Sequence, residues 1–290
     1  MLLDFSVVKD GLMDTPRVAL VTGGSSGIGE ETALGLKKAG FEVYAVARRV
    51  DRMVALADAG VGVFGMDVTD DASMTSGVER ILDEHGRIDV LVNNAGYGSY
   101  GAVEDVPLDE ARRQFEVNVF GLARLTQLVI PAMRQQGSGR IINISSVGAV
   151  IYEPFGAWYH ATKFAVDGFS DSLRVELAPF GIDVVIIRPA GILTEWNQIA
   201  RDGLLESAKG GAYEQMAGSA ARRLASVDNK VLSSGPRTVA KTIVKAATAS
   251  HPRSAYATGR GARMVMGSRR LLPDRAFDAI LTRAYLRGKG

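Results

Sequence analysis

The chain has 290 residues, enough for a large buried core and, on length alone, for two domains. It has no cysteine, which excludes disulfides, thiolate nucleophiles and Cys-ligated metals, and its three histidines (His85, His160, His251) show no ligand spacing, so no metal site is expected. A hydrophobic share of 47% and a net charge of +2 describe an ordinary globular protein with no general affinity for polyanions; nucleic acid is not an expected partner.

Residues 1–15 read as an N-terminal extension. Their acids, Asp4 and Asp10, and the lack of a basic start with an apolar middle do not fit a signal peptide, so a cytoplasmic location is expected. No stretch approaches the roughly 20 apolar residues of a membrane span. Short β-branched runs then alternate with helix-period stretches. Strands are expected at 17–22, 42–47, 61–65, 88–92, 140–144 and 183–187, with a short last one at 255–258. Helices are expected at 28–39, 51–59, 71–85, 108–136 and 158–180. Runs such as VVII imply burial on both faces of a parallel sheet. The fold class is therefore α/β: a doubly wound, Rossmann-type parallel sheet with helices on both faces, in a single domain over 16–290.

Residues 194–234 break the alternation. They are rich in Gly, Ala and small polar residues, show no strand, and read as an irregular, mobile substrate lid. From His251 to Gly290 nine Lys and Arg stand against two Asp. This basic C-terminal region reads as solvated surface with cations at helix C-termini, or else as a patch for an acidic partner or a membrane surface.

The first strand runs into TGGSSGIG. Gly23, Gly27 and Gly29 suit a sharp turn that lets a pyrophosphate approach the backbone, and the helix that follows offers free N–H groups and a positive dipole end. The alternative is a tight strand–helix turn with no ligand. The next strand ends in Ala47, Arg48 and Arg49, with no acid for a ribose 2′-hydroxyl. Two guanidiniums there suit a 2′-phosphate, which favours NADP(H) over NAD(H), unless both arginines are a solvated helix start.

Ser146 follows the apolar strand RIINIS and so reaches the C-terminal edge of the sheet, where ligands bind in open α/β folds. Tyr159 and Lys163 lie one helical turn apart on one face. A nearby ammonium would favour the phenolate of a Tyr whose ordinary pKa is about 10, and the Ser hydroxyl could bond an oxygen that develops charge. Ser145, the rival serine, is expected to bond local backbone. A second Tyr-x-x-x-Lys pair, Tyr285 and Lys289, lies near the chain end with nothing else to support chemistry, and Tyr285→Phe is expected to be nearly silent. Asn118 lies in a helical pattern it does not suit, with Gly121 after it, and a locally opened helix is expected.

TGGSSGIG, Asp67-Val68, NNAG at 93–96, Asn118, Ser146, Tyr159 and Lys163 stand in the order and spacing of the short-chain dehydrogenase/reductase family, which the chain resembles over 17–196. Its look is closest to members of the 17β-hydroxysteroid and retinol dehydrogenase kind. The resemblance implies an NAD(P)-dependent alcohol/carbonyl oxidoreductase with Asn118, Ser146, Tyr159 and Lys163 as the catalytic set. It implies that Asn118 holds a water linking Lys163 to solvent. It implies a cofactor site of Gly23, Ser25, Ser26, Gly27, Ile28, Gly29, Arg48, Arg49, Asp67, Val68, Asn94, Ala95, Gly96, Tyr159, Lys163, Pro189, Ile192 and Thr194. Asp67 would accept from the adenine amino group, and the loop from Pro189 to Thr194 would hold the carboxamide. Here that loop has Ala190 where the family pattern has Gly, with Gly191 one place later. Family members commonly pair through two long helices, so a homodimer or homotetramer is expected through 108–136 and 158–180.

Val147, Val150, Ile151, Phe155 and Trp158, with Tyr97, Tyr100 and Trp196 on neighbouring loops, suggest an apolar, aromatic pocket for a small hydrophobic carbonyl or alcohol. Two other readings are a dinucleotide sensor that kept the fold and lost the chemistry, and a membrane-surface protein using the basic region; membrane contact is not the expectation.

Overall fold

The computed structural model describes residues 16–225 and 233–286, so the expected N-terminal extension lies outside the described residues. Among the described residues seven strands form one all-parallel sheet: β1 (Val18–Thr22), β2 (Glu42–Ala47), β3 (Gly62–Gly65), β4 (Val90–Asn93), β5 (Gly139–Ile144), β6 (Ile182–Pro189) and β7 (Ala255–Thr258). Their order is β3-β2-β1-β4-β5-β6-β7. The helices are α1 (Gly27–Lys38), α2 (Val54–Asp58), α3 (Asp71–His85), α4 (Leu108–Phe115), α5 (Leu122–Gln136), α6 (Ala157–Leu177), α7 (Glu195–Ala208), α8 (Glu214–Ala225), α9 (Pro236–Thr248), α10 (Ala262–Leu271) and α11 (Asp274–Leu281).

Alternate strand residues feed two cores, as the period of two requires. Ala19, Val21, Val43 and Val92 pack with Leu36 of α1, Leu56 of α2 and Ile243 of α9. Leu20, Val46, Leu91 and Ile141 pack with Ile81 of α3, Leu125 of α5 and Leu173 of α6. A sheet buried on both faces is the doubly wound arrangement its sequence pattern implies.

Three stretches differ from their sequence reading. The expected helix over 108–136 is interrupted: α4 and α5 are joined by a π-helical turn, Glu116–Gly121, which confirms the local opening expected at Asn118. Gly121 sits against the loop after β3, where a Cβ would lie 2.2 Å from the Val68 carbonyl oxygen. The 194–234 segment is not irregular. It contains α7 and α8, which bury Ala200, Leu204, Ala208, Ala217, Ala220 and Leu224. Alanine carries little hydrophobic signal, so the helical period is muted in the sequence although small side chains let the two helices approach closely. Residues 226–232 of that segment lie outside the described residues.

The basic C-terminal region also folds onto the domain. Arg269 pairs with Asp274 at 2.7 Å and lies over the rings of Tyr152 and Phe277, 5.4 Å from each centroid. Tyr152 donates to Asp278 at 2.8 Å. These contacts favour structured surface over a separate patch. Among the described residues no helix is long and apolar enough to cross a membrane.

Candidate active site

β1 and β4 lie side by side, yet the chain leaves β1 toward β2 and returns to β4 on the other side, which creates the switch point where open α/β sheets bind ligands. A cavity of about 670 Å³ opens there. Every residue expected at the cofactor or catalytic site lines it, except Gly29 and Asn118.

The glycine turn is shaped by exclusion of side chains. Gly23 has φ +68°, and a Cβ on Gly29 would lie 2.2 Å from the Gly23 carbonyl oxygen, so Gly29 serves the turn from beneath rather than facing the cavity. Thr22 ties this turn to the loop after β4: its Oγ1 accepts from the N–H groups of Asn94 at 3.0 Å and Ala95 at 2.9 Å. Asn94 returns a bond from Nδ2 to the Thr22 carbonyl at 2.9 Å. Arg48 and Arg49 are exposed at the rim. Arg49 lies 3.8 Å from Glu195, a solvent-facing pair worth little in stability. Burial raises the Asp67 carboxyl, but hydrogen bonds from Thr69 and the nearby Arg48 and Arg113 outweigh it and hold the group below its ordinary range.

The loop after β6 resolves the displaced glycine. Gly191 takes the positive φ of 53°, while Ala190 donates to the Thr258 carbonyl at 2.9 Å and Ser234 donates to that of Gly191 at 2.9 Å. Pro189, Ile192 and Thr194 face the cavity.

Ser146, just past the end of β5, accepts from the Gly148 N–H at 3.0 Å and lies beside the Tyr159 phenol. Ser145 differs from its expected role: it is buried, bonds no local backbone, and faces the Asp167 carboxylate. Tyr159 is 8% exposed, with its ring 5.0 Å from Trp196 and 5.8 Å from Tyr100. Burial pushes its hydroxyl up to about 12; the Ser146 bond opposes this and the Glu153 carboxylate adds to it. The Lys163 ammonium lies 5.9 Å from the Tyr159 ring centroid and gives one of its three donors to the Ile144 carbonyl at 2.9 Å. Burial lowers Lys163 to about 8, with Asp167 pulling the other way. In this arrangement desolvation of both groups outweighs any lowering of Tyr159 by the Lys163 charge.

Asn118 is buried and clamps the loop after β4. Its Nδ2 donates to the Tyr97 carbonyl at 2.9 Å and to Thr162 Oγ1 at 3.1 Å, and its Oδ1 accepts from the Tyr97 N–H at 3.0 Å. The π turn aims this side chain inward.

Of the expected pocket aromatics and aliphatics, Tyr97, Tyr100, Val147, Ile151 and Trp196 line the cavity; Val150, Phe155 and Trp158 do not. Among the lining residues that were not anticipated are Glu153, His160 and Tyr285. His160 bonds the Gly148 carbonyl through Nδ1 at 2.9 Å and accepts the Glu153 N–H at Nε2, 3.0 Å away, so it fixes the loop that carries Glu153. Tyr285, expected to sit apart near the chain end, is 8% exposed and packs with α7 and α8 around this cavity; Lys289 lies outside the described residues. No sequence period marks Tyr285, because a π turn (Thr282–Leu286) delivers it.

A parallel sheet of this order with a glycine-turn cavity and a Ser, Tyr and Lys at its edge defines a dinucleotide-dependent oxidoreductase fold. The sequence profile described as short chain dehydrogenase matches residues 17–204. The 3-ketodihydrosphingosine reductase of Bacteroides thetaiotaomicron is 36% identical over 229 residues, covering 75% of this chain and 84% of that one. A short-chain dehydrogenase from Streptomyces avermitilis superimposes with a TM-score of 0.77 at 33% identity, covering 93% of this chain and 96% of the other. A metagenomic short-chain oxidoreductase solved with NADP gives a TM-score of 0.65 at 26% identity, covering 83% and 96%. The chain belongs to the short-chain dehydrogenase/reductase family, and is an enzyme acting on CH–OH groups with NAD(P).

Proposed function

We propose that the protein is an NADP(H)-dependent oxidoreductase that interconverts a hydrophobic carbonyl compound and its alcohol, with Tyr159 as proton donor and acceptor. The observation that carries this reading is the convergence of the glycine turn, Ser146, Tyr159 and Lys163 on one cavity. The residues present fit a nicotinamide dinucleotide. The Gly23–Gly29 contact leaves a cradle that side chains would fill, α1 points its N-terminus at it, and Lys163 keeps two donors beyond its Ile144 bond. The bound nicotinamide supplies or accepts the hydride.

The chain's own residues handle the proton. Ser146 donates to the substrate oxygen as charge develops on it. The Tyr159 phenol, held protonated by burial, gives its proton to that oxygen in reduction and takes it back in oxidation. Lys163 holds the ribose and brings positive charge toward the phenol; Asn118 keeps the neighbouring loop in register and holds a water on the route from Lys163 to solvent. Asp67 and Val68 hold the adenine, Asn94–Gly96 line the cofactor's path, and Pro189, Ile192 and Thr194 hold the carboxamide. The relative that reduces 3-ketodihydrosphingosine and the apolar lining, with Ile151, Trp196 and Leu224, support a hydrophobic substrate. Helices α7 and α8 serve as its lid.

Arg48 and the absence of an acid at position 47 support NADPH over NADH, as does the NADP-bound structural relative. In a fluorescence titration Arg48→Ala should weaken NADPH binding roughly 10-fold, the scale of one partly exposed charge-assisted contact, and change NADH binding little. Tighter binding of NADH than NADPH by the unmodified protein would sink the assignment.

Assembly through the α4–α5 and α6 helices is proposed as well. Leu108 and Phe120 on the first pair and Phe164 and Val175 on α6 are large apolar side chains left exposed on the single chain. Light scattering at micromolar concentration should give a dimer or tetramer mass; a monomer would refute this part alone.

A further inference from the structure

Glu153 is the feature that hydride transfer does not require. It lines the cavity with Tyr159, and its neighbours on that wall include the apolar and aromatic side chains of Tyr100, Trp196 and Leu224. It is a built group rather than a stray surface acid. The Tyr100 and Tyr285 phenols lie close to its side chain, and His160 fixes its backbone through a 3.0 Å bond. The Arg223 guanidinium lies 5.9 Å from the Tyr285 ring centroid at the lid surface. A carboxylate offers about four acceptor positions, more than two neighbouring phenols can fill.

A negative charge in this position carries a cost. It opposes the formation of phenolate at Tyr159. A cation arriving with the substrate removes that opposition and satisfies the remaining acceptor positions at once. We propose that Glu153, its backbone held by His160 and its side chain on the same cavity wall as Tyr100 and Tyr285, is a specificity-determining residue that binds an ammonium group carried by the substrate close to its reacting carbonyl or alcohol. The substrate is then amphiphilic: an amino ketone or amino alcohol with an apolar remainder that lies under α7 and α8. This rests on the carbonyl-reductase reading above and deepens it.

The test is a matched pair of ketones, one with a primary amine one or two carbons from the carbonyl and one with a methyl group there, reduced with NADPH at neutral pH. Unmodified protein should prefer the amine in kcat/KM by about 10-fold or more, carried mainly in KM, the scale of a charge-assisted hydrogen bond. Glu153→Gln keeps the shape and loses the charge, and should erase most of that ratio; Tyr285→Phe should reduce it partly. NADPH fluorescence reports whether each variant is folded. Should Glu153→Gln fail to fold, inhibition of unmodified protein answers the question. An alkylammonium should inhibit reduction of the neutral ketone about 10-fold more strongly than the alcohol of equal length. Equal kcat/KM for the pair, a preference surviving Glu153→Gln in folded protein, or equal inhibition by amine and alcohol overturns the inference while leaving the enzyme reading intact. No turnover of any ketone removes both.

Discussion

Tyr159→Phe should lower turnover by about 100-fold or more while leaving folding and NADPH binding nearly unchanged. The substitution deletes one oxygen. The ring that packs against Trp196 at 5.0 Å and Tyr100 at 5.8 Å stays, so the pocket keeps its shape. What is lost is the hydroxyl that lies beside Ser146 at the sheet edge. A factor of 100 corresponds to about 2.7 kcal/mol of transition-state stabilisation, the usual scale for a positioned general acid. Burial keeps the hydroxyl protonated near neutral pH, so the resting arrangement suits donation to a nascent alkoxide and favours assays in the reduction direction. Single-turnover kinetics with saturating NADPH separate the chemical step from binding. A variant that kept most of its single-turnover rate would remove Tyr159 from the mechanism.

Lys163→Met should also collapse turnover, on the order of 100-fold, and should change the pH profile in a defined way. Methionine fills much of the same space, which limits the cavity left in α6. Burial sets the ordinary lysine range down to about 8, so the ammonium is present below that pH and lost above it. The kcat/KM for reduction, which reports the free enzyme, should therefore fall as pH rises through about 8. The variant has no such group and should be low and flat across the same interval. A descending limb that persisted in Lys163→Met would assign it to another group and leave Lys163 without its proposed charge role.

The sheet was legible because its strands are continuous β-branched runs, and such runs have one stable setting, buried on both faces. β2, β7 and α3 agree with their sequence reading to the residue. The glycine turn and the Ser146–Tyr159–Lys163 set were legible because their spacing maps onto one strand end and one helical turn. What escaped was carried by weaker signals. α7 and the alanine-rich α8 hide their period, and the C-terminal helices α10 and α11 look like a charged tail until Arg269 is seen stacked on Tyr152 and Phe277. Glu153 and Tyr285 are 132 residues apart in number and meet only because α11 and its π turn fold back over the cavity. No local pattern encodes that meeting. The electrostatic balance at Tyr159 is hidden for a related reason: spacing gives the proximity of Lys163 but not the burial that dominates both groups.

The central claim is most directly tested by following NADPH oxidation when purified protein meets a panel of apolar ketones, with and without an amine near the carbonyl, beside the same panel with NADH. The account predicts NADPH-dependent reduction of at least one apolar ketone to its alcohol, faster than with NADH and abolished in Tyr159→Phe. NADPH that binds but is never oxidised by any carbonyl, nor NADP reduced by the matching alcohols, would contradict it and leave a protein that holds the dinucleotide without using it.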